Sequence, residues 1–281
     1  MTSAAQKLIM ITGVSTGFGK AFSAAAIAAG HRVVGTVRSE VAGSVFEASG
    51  EGRAFARMLD ITDYNAIAPT VANIQAEIGP IDVLINNAGY GHEGLFEESA
   101  LDELRRQFDV NVFGTVAVTK AVLPYMRARR SGHIITVTSI GGLVTFPGLS
   151  FYHGSKFALE GIFESLAQEV RGLGIAVTNV APGAFRTDWA GRSMIRSERM
   201  IDDYDQLFEP IRQARLERSG RQQGDPEKAA QAVLKAIGAE PPPLHLLLGQ
   251  DAVPGVRQKL AALGNEINAW EAVSLSVSFD D

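Results

Sequence analysis

Tyr152 and Lys156 stand four residues apart in FYHGSKFALEG, Phe151 to Gly161, so on a helix they share one face. A phenol of pKa about 10 exchanges protons poorly near neutrality, and an adjacent ammonium favours its ionised form. At about 4 Å and an effective dielectric near 20 the attraction is about 4 kcal/mol, an upper figure equal to roughly three pKa units. The pair can therefore be a proton donor with its tuner, bringing Tyr152 close to working pH, or two ordinary helix neighbours. Spacing alone does not decide between them.

A second group of residues could hold phosphate. TGVSTGFG, Thr12 to Gly19, follows an apolar strand pattern and opens a helical one. Gly13, Gly17 and Gly19 permit a tight turn and a close backbone approach, with Ser15, Thr16 and Phe18 between them and a helix N-terminus facing the negative charge. A Walker loop is excluded, because Lys20 is followed by Ala21 and Gly13 lies one residue too far back. A methyltransferase loop stays open on this segment alone. About twenty residues on, where an NAD-binding fold places a carboxylate on the ribose, the chain reads GTVRSE. Val37 occupies that place and Arg38 follows it, so a 2′-phosphate would meet a cation; NADP is expected over NAD. Asp60 and Ile61, after the third strand, are candidates for the adenine border.

Further polar residues fall at strand ends. INNAG, Ile85 to Gly89, closes the fourth strand; Asn86 and Asn87 read equally well as turn residues. Asn111 in DVNVFGT is a poor helix former inside an apolar run and, if buried, needs partners. Ser139 ends the next strand ahead of Gly141 and Gly142, at the carboxyl edge where open α/β sheets bind ligands.

The elements that must position these residues are legible as an alternation. KLIMIT, RVVGTVR, RAFARML, IDVLI, HIITVTS, IAVTNVAP and PLHLLLG read as strands, with helical patterns between them, including a long one from about Ala100 to Arg129 and one beginning near Tyr152. The alternation predicts an α/β fold, a Rossmann-type doubly wound parallel sheet of about seven strands with helices on both faces. Asp225 with Pro226 is expected to cap a later helix. No repeat or low-complexity linker divides the chain, so residues 1–281 are expected to form one domain. Within it, residues 184–224 mix aromatic and charged side chains as a substrate lid or a surface insertion would, and residues 250–281 form a helical extension whose end is frayed or docked on another subunit.

TGVSTGFG, Asn86 to Gly89, Asn111, Ser139, Tyr152 with Lys156, and Pro182-Gly183 followed by Thr187 appear in the order and spacing of the short-chain dehydrogenase/reductase family, which the chain resembles from about Lys7 to Thr187. Arg38, the long segment after Pro182 and the strand PLHLLLG look similar to the branch holding hydroxysteroid and retinol dehydrogenases. The resemblance implies that Tyr152 donates the proton in carbonyl reduction, Ser139 holds the carbonyl oxygen, Lys156 binds the nicotinamide ribose and Asn111 orders a water. It implies that the glycine loop, Asn87, Ala88, Gly89, Pro182, Gly183 and Thr187 contact the dinucleotide. It also implies a homodimer or homotetramer through the long helix and the Tyr152 helix. His153 departs from the small residues usual beside the tyrosine; a helical neighbour points about 100° away, so a packing or surface role is expected.

The bulk composition narrows the alternatives. With 46% apolar residues, 26 Lys+Arg against 31 Asp+Glu and a net charge of −5, nothing suggests a nucleic-acid partner. Zero cysteines exclude disulfides and a cysteine nucleophile and fit the cytoplasm. The histidines are scattered without an HExxH pair, so no metal is assigned. MTSAAQKLIM lacks a signal peptide's pattern, and Ile134 to Tyr152, free of Lys, Arg and acids, is broken by Gly141, Gly142, Pro147 and Gly148; no membrane span is expected. The expectation is an NADP-dependent oxidoreductase moving hydride between the nicotinamide and a carbonyl or secondary alcohol of an apolar small molecule, for which Leu143, Val144, Phe146, Leu149, Phe151, Phe185 and Trp189 supply walls. A redox sensor on the same fold, and an epimerase or dehydratase keeping the cofactor, are the competing readings.

Overall fold

The computed structural model describes residues 6–187, 189, 191 and 193–279. The first half runs β1 (Leu8–Ile11), α1 (Gly17–Ala28), β2 (Arg32–Val37), α2 (Glu40–Ala48), β3 (Ala54–Met58), α3 (Tyr64–Glu77) and β4 (Val83–Asn86). There follow β5 (Gly91–Glu93), α4 (Leu101–Phe108), α5 (Thr115–Arg129), β6 (Gly132–Val137), α6 (Ser150–Val170), β7 (Ile175–Pro182), β8 (Met194–Arg196), α7 (Asp205–Arg218), α8 (Pro226–Ile237), β9 (His245–Leu248) and α9 (Ala252–Leu275).

Seven parallel strands form the main sheet in the order β3-β2-β1-β4-β6-β7-β9, the expected doubly wound arrangement. Both faces are covered, which is why the strands are continuously apolar instead of alternating. Leu8 and Met10 of β1 join a core with Ile67 and Val71 of α3, Val118 and Val122 of α5, and Leu159 and Phe163 of α6. Ile9 and Ile11 point the other way, toward Phe22 of α1, Phe46 of α2 and Val233 of α8. Chain order reverses between β1 and β4, so the loops after these strands diverge and open a crevice at the carboxyl edge.

Helix starts follow local chemistry. The Ser39 and Asp63 side chains accept from the backbone N–H groups of Ala42 and Ala66, and Asp225 accepts from Glu227 and Lys228 with Pro226 at the first position, as expected. Helix α1 differs: Thr16 at its N-cap makes no side-chain cap bond, and its first turn carries no acid. Its leading amides are therefore left for another acceptor.

Two features depart from the expected outline. The long helix over 100–129 is split into α4 and α5 by a π-helical turn, Asp109–Gly114, centred on Asn111. A π turn inserts one extra residue into the helical ladder and redirects a side chain, which hydropathy does not register. Strands β5 and β8 form a separate two-stranded parallel sheet. Through β8 and α7 the segment 184–224 is bound to the body: Glu98 accepts from the N–H groups of Met200 and Ile201 at 2.8 Å and pairs with Arg199, which also pairs with Asp205.

His133 in β6 is buried, with Nε2 2.9 Å from Thr178 Oγ1, and Thr178 donates to the Pro243 carbonyl at 2.5 Å. Thr178 must therefore accept, and His133 carries its proton on Nε2. Burial, helped by Lys7, lowers its pKa to about 4. A depressed histidine pKa means that the unfolded chain binds the extra proton, so stability is present above the unfolded value and is lost as pH falls from about 6.5 toward 4, by up to about 3 kcal/mol. In urea denaturation at pH 7 and at pH 4.5, His133→Asn is expected to show a smaller loss than the parent chain between the two conditions.

Candidate active site

The crevice at the sheet edge is a cleft of 1690 Å³ that runs from Arg38 and Asp60 past the glycine loop to Ser139, Tyr152 and Lys156, then under the segment 184–224. At its floor the glycine loop is tied to β4. The Asn87 side-chain amide donates to the Thr12 and Gly13 carbonyls at 2.9 Å, while the Thr12 hydroxyl accepts from the N–H groups of Asn87 (2.9 Å) and Ala88 (3.0 Å). Asn87 is thus a brace for the loop as well as a lining residue. Asn86 lies one layer down, buried, donating to Thr119 Oγ1 at 2.9 Å.

Gly13 and Gly17 have φ of +74° and +55°, conformations costly for any residue with a Cβ. A Cβ on Gly19 would collide with the Gly13 carbonyl oxygen and lie 2.6 Å from Asn87 Nδ2. A tightly folded loop with open helical amides and no acid suits a pyrophosphate. Ser15, Thr16 and Phe18 line the cleft beside it, and Thr187 lies over Gly17. Pro182 and Gly183 end β7 on the same side; the Gly183 N–H donates to Leu248 O at 2.8 Å, and Asp251 occupies the space a side chain there would need. At the opposite end Arg38 stands exposed just past β2, near Asp60. The Thr62 backbone N–H, its hydroxyl and Arg38 hold the Asp60 carboxyl below the usual range against its partial burial. Ile61 packs beneath Gly114 of the π turn, and like Asp60 it reaches the cleft.

The polar residues of the middle region are brought together. Ser139 Oγ accepts from the Gly141 N–H at 2.9 Å, which leaves the hydroxyl proton free to be donated. It also lies in hydrogen-bonding relation to the Tyr152 phenol. Lys156 Nζ donates to the Val137 carbonyl at 2.9 Å and sits 5.8 Å from the centre of the Tyr152 ring. Asn111, 1% exposed, accepts from the Tyr90 N–H and donates to Tyr90 O, both at 3.0 Å, and donates to Ser155 Oγ at 3.1 Å. The buried asparagine is satisfied, and its position explains Gly89, where a Cβ would come 3.0 Å from Asn111 Oδ1.

The electrostatics correct one expectation. Lys156 does not bring Tyr152 toward neutrality: burial pushes the phenol up to about 12, against the opposing pulls of Ser139 and Trp189. Burial also takes Lys156 down to about 8, with Glu160 acting the other way. Both groups are buried, and removal from water disfavours the charged form of each. At neutral pH Tyr152 holds its proton and Lys156 is largely charged, a state suited to giving a proton.

His153 packs, as one of its two expected roles allowed, and does not lie at the surface. Its Nδ1 meets Gly141 O and its Nε2 accepts from the Phe146 N–H, both at 2.8 Å, which clips the loop 141–146 to α6. Of the expected apolar walls, Val144, Phe146, Leu149, Phe185 and Trp189 line the cleft, the Trp189 ring lying 5.1 Å from that of Tyr152. Phe151 turns instead to His92, 5.1 Å between ring centres. Among the lining residues that escaped the sequence reading are Glu93, 2% exposed, and Arg215, whose Nη1 lies 3.7 Å from Glu93 Oε2 and whose Nη2 donates to Pro147 O at 2.6 Å. They lie far apart in sequence, on β5 and α7, and nothing in the sequence pattern signals that the two elements meet.

The chain belongs to the short-chain dehydrogenase family, whose sequence model matches residues 7–196. It is an oxidoreductase of that family, which works with a nicotinamide dinucleotide and a small-molecule substrate. An oxidoreductase (BOA17) of Botryotinia fuckeliana is 38% identical over 96% of this chain and 98% of its own length. A 3-ketodihydrosphingosine reductase of Bacteroides thetaiotaomicron is 39% identical over 86% of this chain and 88% of its own. The crystal structure of a short-chain dehydrogenase from Streptomyces avermitilis superimposes with a TM-score of 0.90, at 40% identity, over 98% of this chain and all of that one. No helix among the described residues is long and apolar enough to cross a membrane.

Gly19→Ala tests the loop. A Cβ there forces the Gly13 carbonyl and the Asn87 amide apart, so dinucleotide affinity by isothermal titration is expected to fall at least tenfold while the far-UV circular dichroism is unchanged.

Proposed function

We propose that the chain is an NADP-dependent carbonyl reductase acting on an apolar ketone. The observation that carries this reading is the convergence of Ser139, Tyr152 and Lys156 at one enclosed point of a cleft whose other end presents Arg38. The reduced dinucleotide, when bound, supplies hydride to the carbonyl carbon. Tyr152 gives its phenolic proton to the oxygen, so the C=O bond becomes C–H and O–H, and Ser139 donates to that oxygen as its charge grows. Lys156, anchored on Val137, offers its remaining protons to a ribose and its charge to the phenolate left behind. Both amide protons of Asn111 are engaged, so any water it orders would donate to one of its oxygens, the main-chain carbonyl or Oδ1. Asn111 therefore acts chiefly as a brace between Tyr90 and Ser155.

Arg38 supports NADP because a fixed cation beyond β2 complements a 2′-phosphate and Val37 provides no carboxylate for a 2′-hydroxyl. The apolar walls, with segment 184–224 acting as a lid, support a hydrophobic substrate, as does the relative whose name specifies a 3-keto compound. Exposed Phe113, Phe157 and Ile162 on the α5–α6 side support a homo-oligomer through that face, and the absence of cysteine suits a cytoplasmic protein.

In a 340 nm assay with apolar ketones, NADPH is expected to be preferred to NADH, Arg38→Leu to abolish the preference, and Tyr152→Phe to lower turnover by about 100-fold or more with NADPH binding kept. Turnover unchanged in Tyr152→Phe sinks the proton-donor role. The pH profile supplies a second check: because Lys156 titrates near 8, kcat for reduction should be level below that pH and decline above it as the ammonium is lost.

A further inference from the structure

Five lysines and arginines line the cleft. Arg38 faces the dinucleotide end, Lys156 belongs to the catalytic group, and Arg215 lies 3.7 Å from the buried carboxylate of Glu93, which Arg196 approaches to 4.0 Å. Arg218 and Lys259 are left over. Both are exposed, and among the described residues neither side chain forms an ion pair or a hydrogen bond. The three acids that line the cleft do not supply their counter-charge. Asp60 lies at the dinucleotide end and Glu93 is met by Arg215, while Asp251 accepts from the Ala184 N–H at 2.8 Å and fills the space over Gly183.

The elements that carry the two cations put them on the substrate side. From α7, Ile211, Ala214, Arg215 and Arg218 line the cleft, and from α9, Gly255, Gln258, Lys259 and Ala262; each set has the spacing of one helical face. Both faces border the loop that follows Ser139. Arg215 donates to Pro147 O at 2.6 Å, Phe208 occupies the space over Gly148, and a Cβ on Gly255 would lie 3.3 Å from Ile140. Lys259 stands one turn, about 6 Å, beyond Gly255 along α9, and Arg218 one turn beyond Ala214 along α7. The other walls of this half are apolar, among them Val144, Phe146, Leu149, Trp189 and Met194. An apolar pocket with two unneutralised cations at its rim is complementary to an amphipathic anion.

We propose that the substrate is an apolar ketone with an anionic head, a carboxylate or phosphate, which Arg218 and Lys259 hold at the rim while the carbonyl reaches Ser139 and Tyr152. The proposal deepens the reductase reading and rests on it for the ketone, but the head-group site itself acts without turnover. Arg218 offers a planar fork of N–H donors that matches either anion, and Lys259 a point charge on a flexible stem. A cationic head would be repelled. The phosphates of the dinucleotide are accounted for elsewhere, by the open amides of α1 and by Arg38.

Isothermal titration of the NADPH-saturated full chain with octanoate, octyl phosphate, octylammonium and 1-octanol reads the head-group site without any chemistry. At least one anion is expected to bind about tenfold more tightly than 1-octanol, the tighter of the two naming the head, and its advantage to shrink as NaCl is raised. Arg218→Gln with Lys259→Gln is expected to remove the advantage, and Arg218→Glu with Lys259→Glu to pass it to octylammonium, with NADPH affinity kept in both. Equal binding of the four probes, tighter binding of octylammonium by the parent chain, or an anion advantage that survives both variants overturns the proposal. So does a fall in NADPH affinity at unchanged circular dichroism, which would assign the two cations to the dinucleotide. Turnover separates this proposal from the reading beneath it. In the 340 nm assay, methyl-ketone acids of six, eight and ten carbons are expected to exceed their methyl esters in kcat/KM by about tenfold at the best length. Acids and esters reduced equally well sink the head-group site and leave the reductase standing, whereas a bound octanoate with no ketone reduced upholds the site and sinks the reductase.

Discussion

A lysine ammonium removed from water must find an acceptor, and the placement of Lys156 on the Val137 carbonyl organises the middle of this molecule. Val137 ends β6, so the bond fixes α6 against the carboxyl edge of the sheet at the strand that leads into Ser139. One turn earlier on α6, Tyr152 is thereby set beside Ser139; one turn later, buried Glu160 is held by Asn179 at 2.7 Å. The same enclosure that makes the contact necessary shifts both titrating groups toward their neutral forms. Position and proton affinity therefore have one cause, the depth at which α6 crosses the sheet edge.

The surroundings of that point are rigid for identifiable reasons. Asn87 and Thr12 tie the glycine loop to β4, the π turn brings Asn111 onto Tyr90 and Ser155, and His153 clips the loop after Ser139 to α6. Each of these bonds joins segments that are distant in sequence, and each uses a polar side chain whose donors or acceptors would otherwise be stranded in the interior. The segment 184–224 is attached by a different device: the buried carboxylate of Glu98 gathers two backbone N–H groups and Arg199, while β5 and β8 pair along their edges. The body of the cleft is thus set by the sheet, and its roof by a few charged contacts.

Much of this was legible in the sequence because it is local or periodic. The seven strands, the capped helix after Asp225, the glycine loop with its strand and helix, and the spacing of Tyr152 and Lys156 follow from patterns of two, three and four residues. What tertiary structure alone decided involves distance and depth. The π turn at Asn111, the pairing of β5 with β8, and the meeting of Glu93 with Arg215 all depend on which segments the sheet brings together. Likewise, the sequence placed Lys156 beside Tyr152 and so implied a lowered phenol pKa, whereas the fold buried both and raised it. Spacing along a helix determines which groups are neighbours, but their proton affinities depend on how much water the rest of the chain excludes.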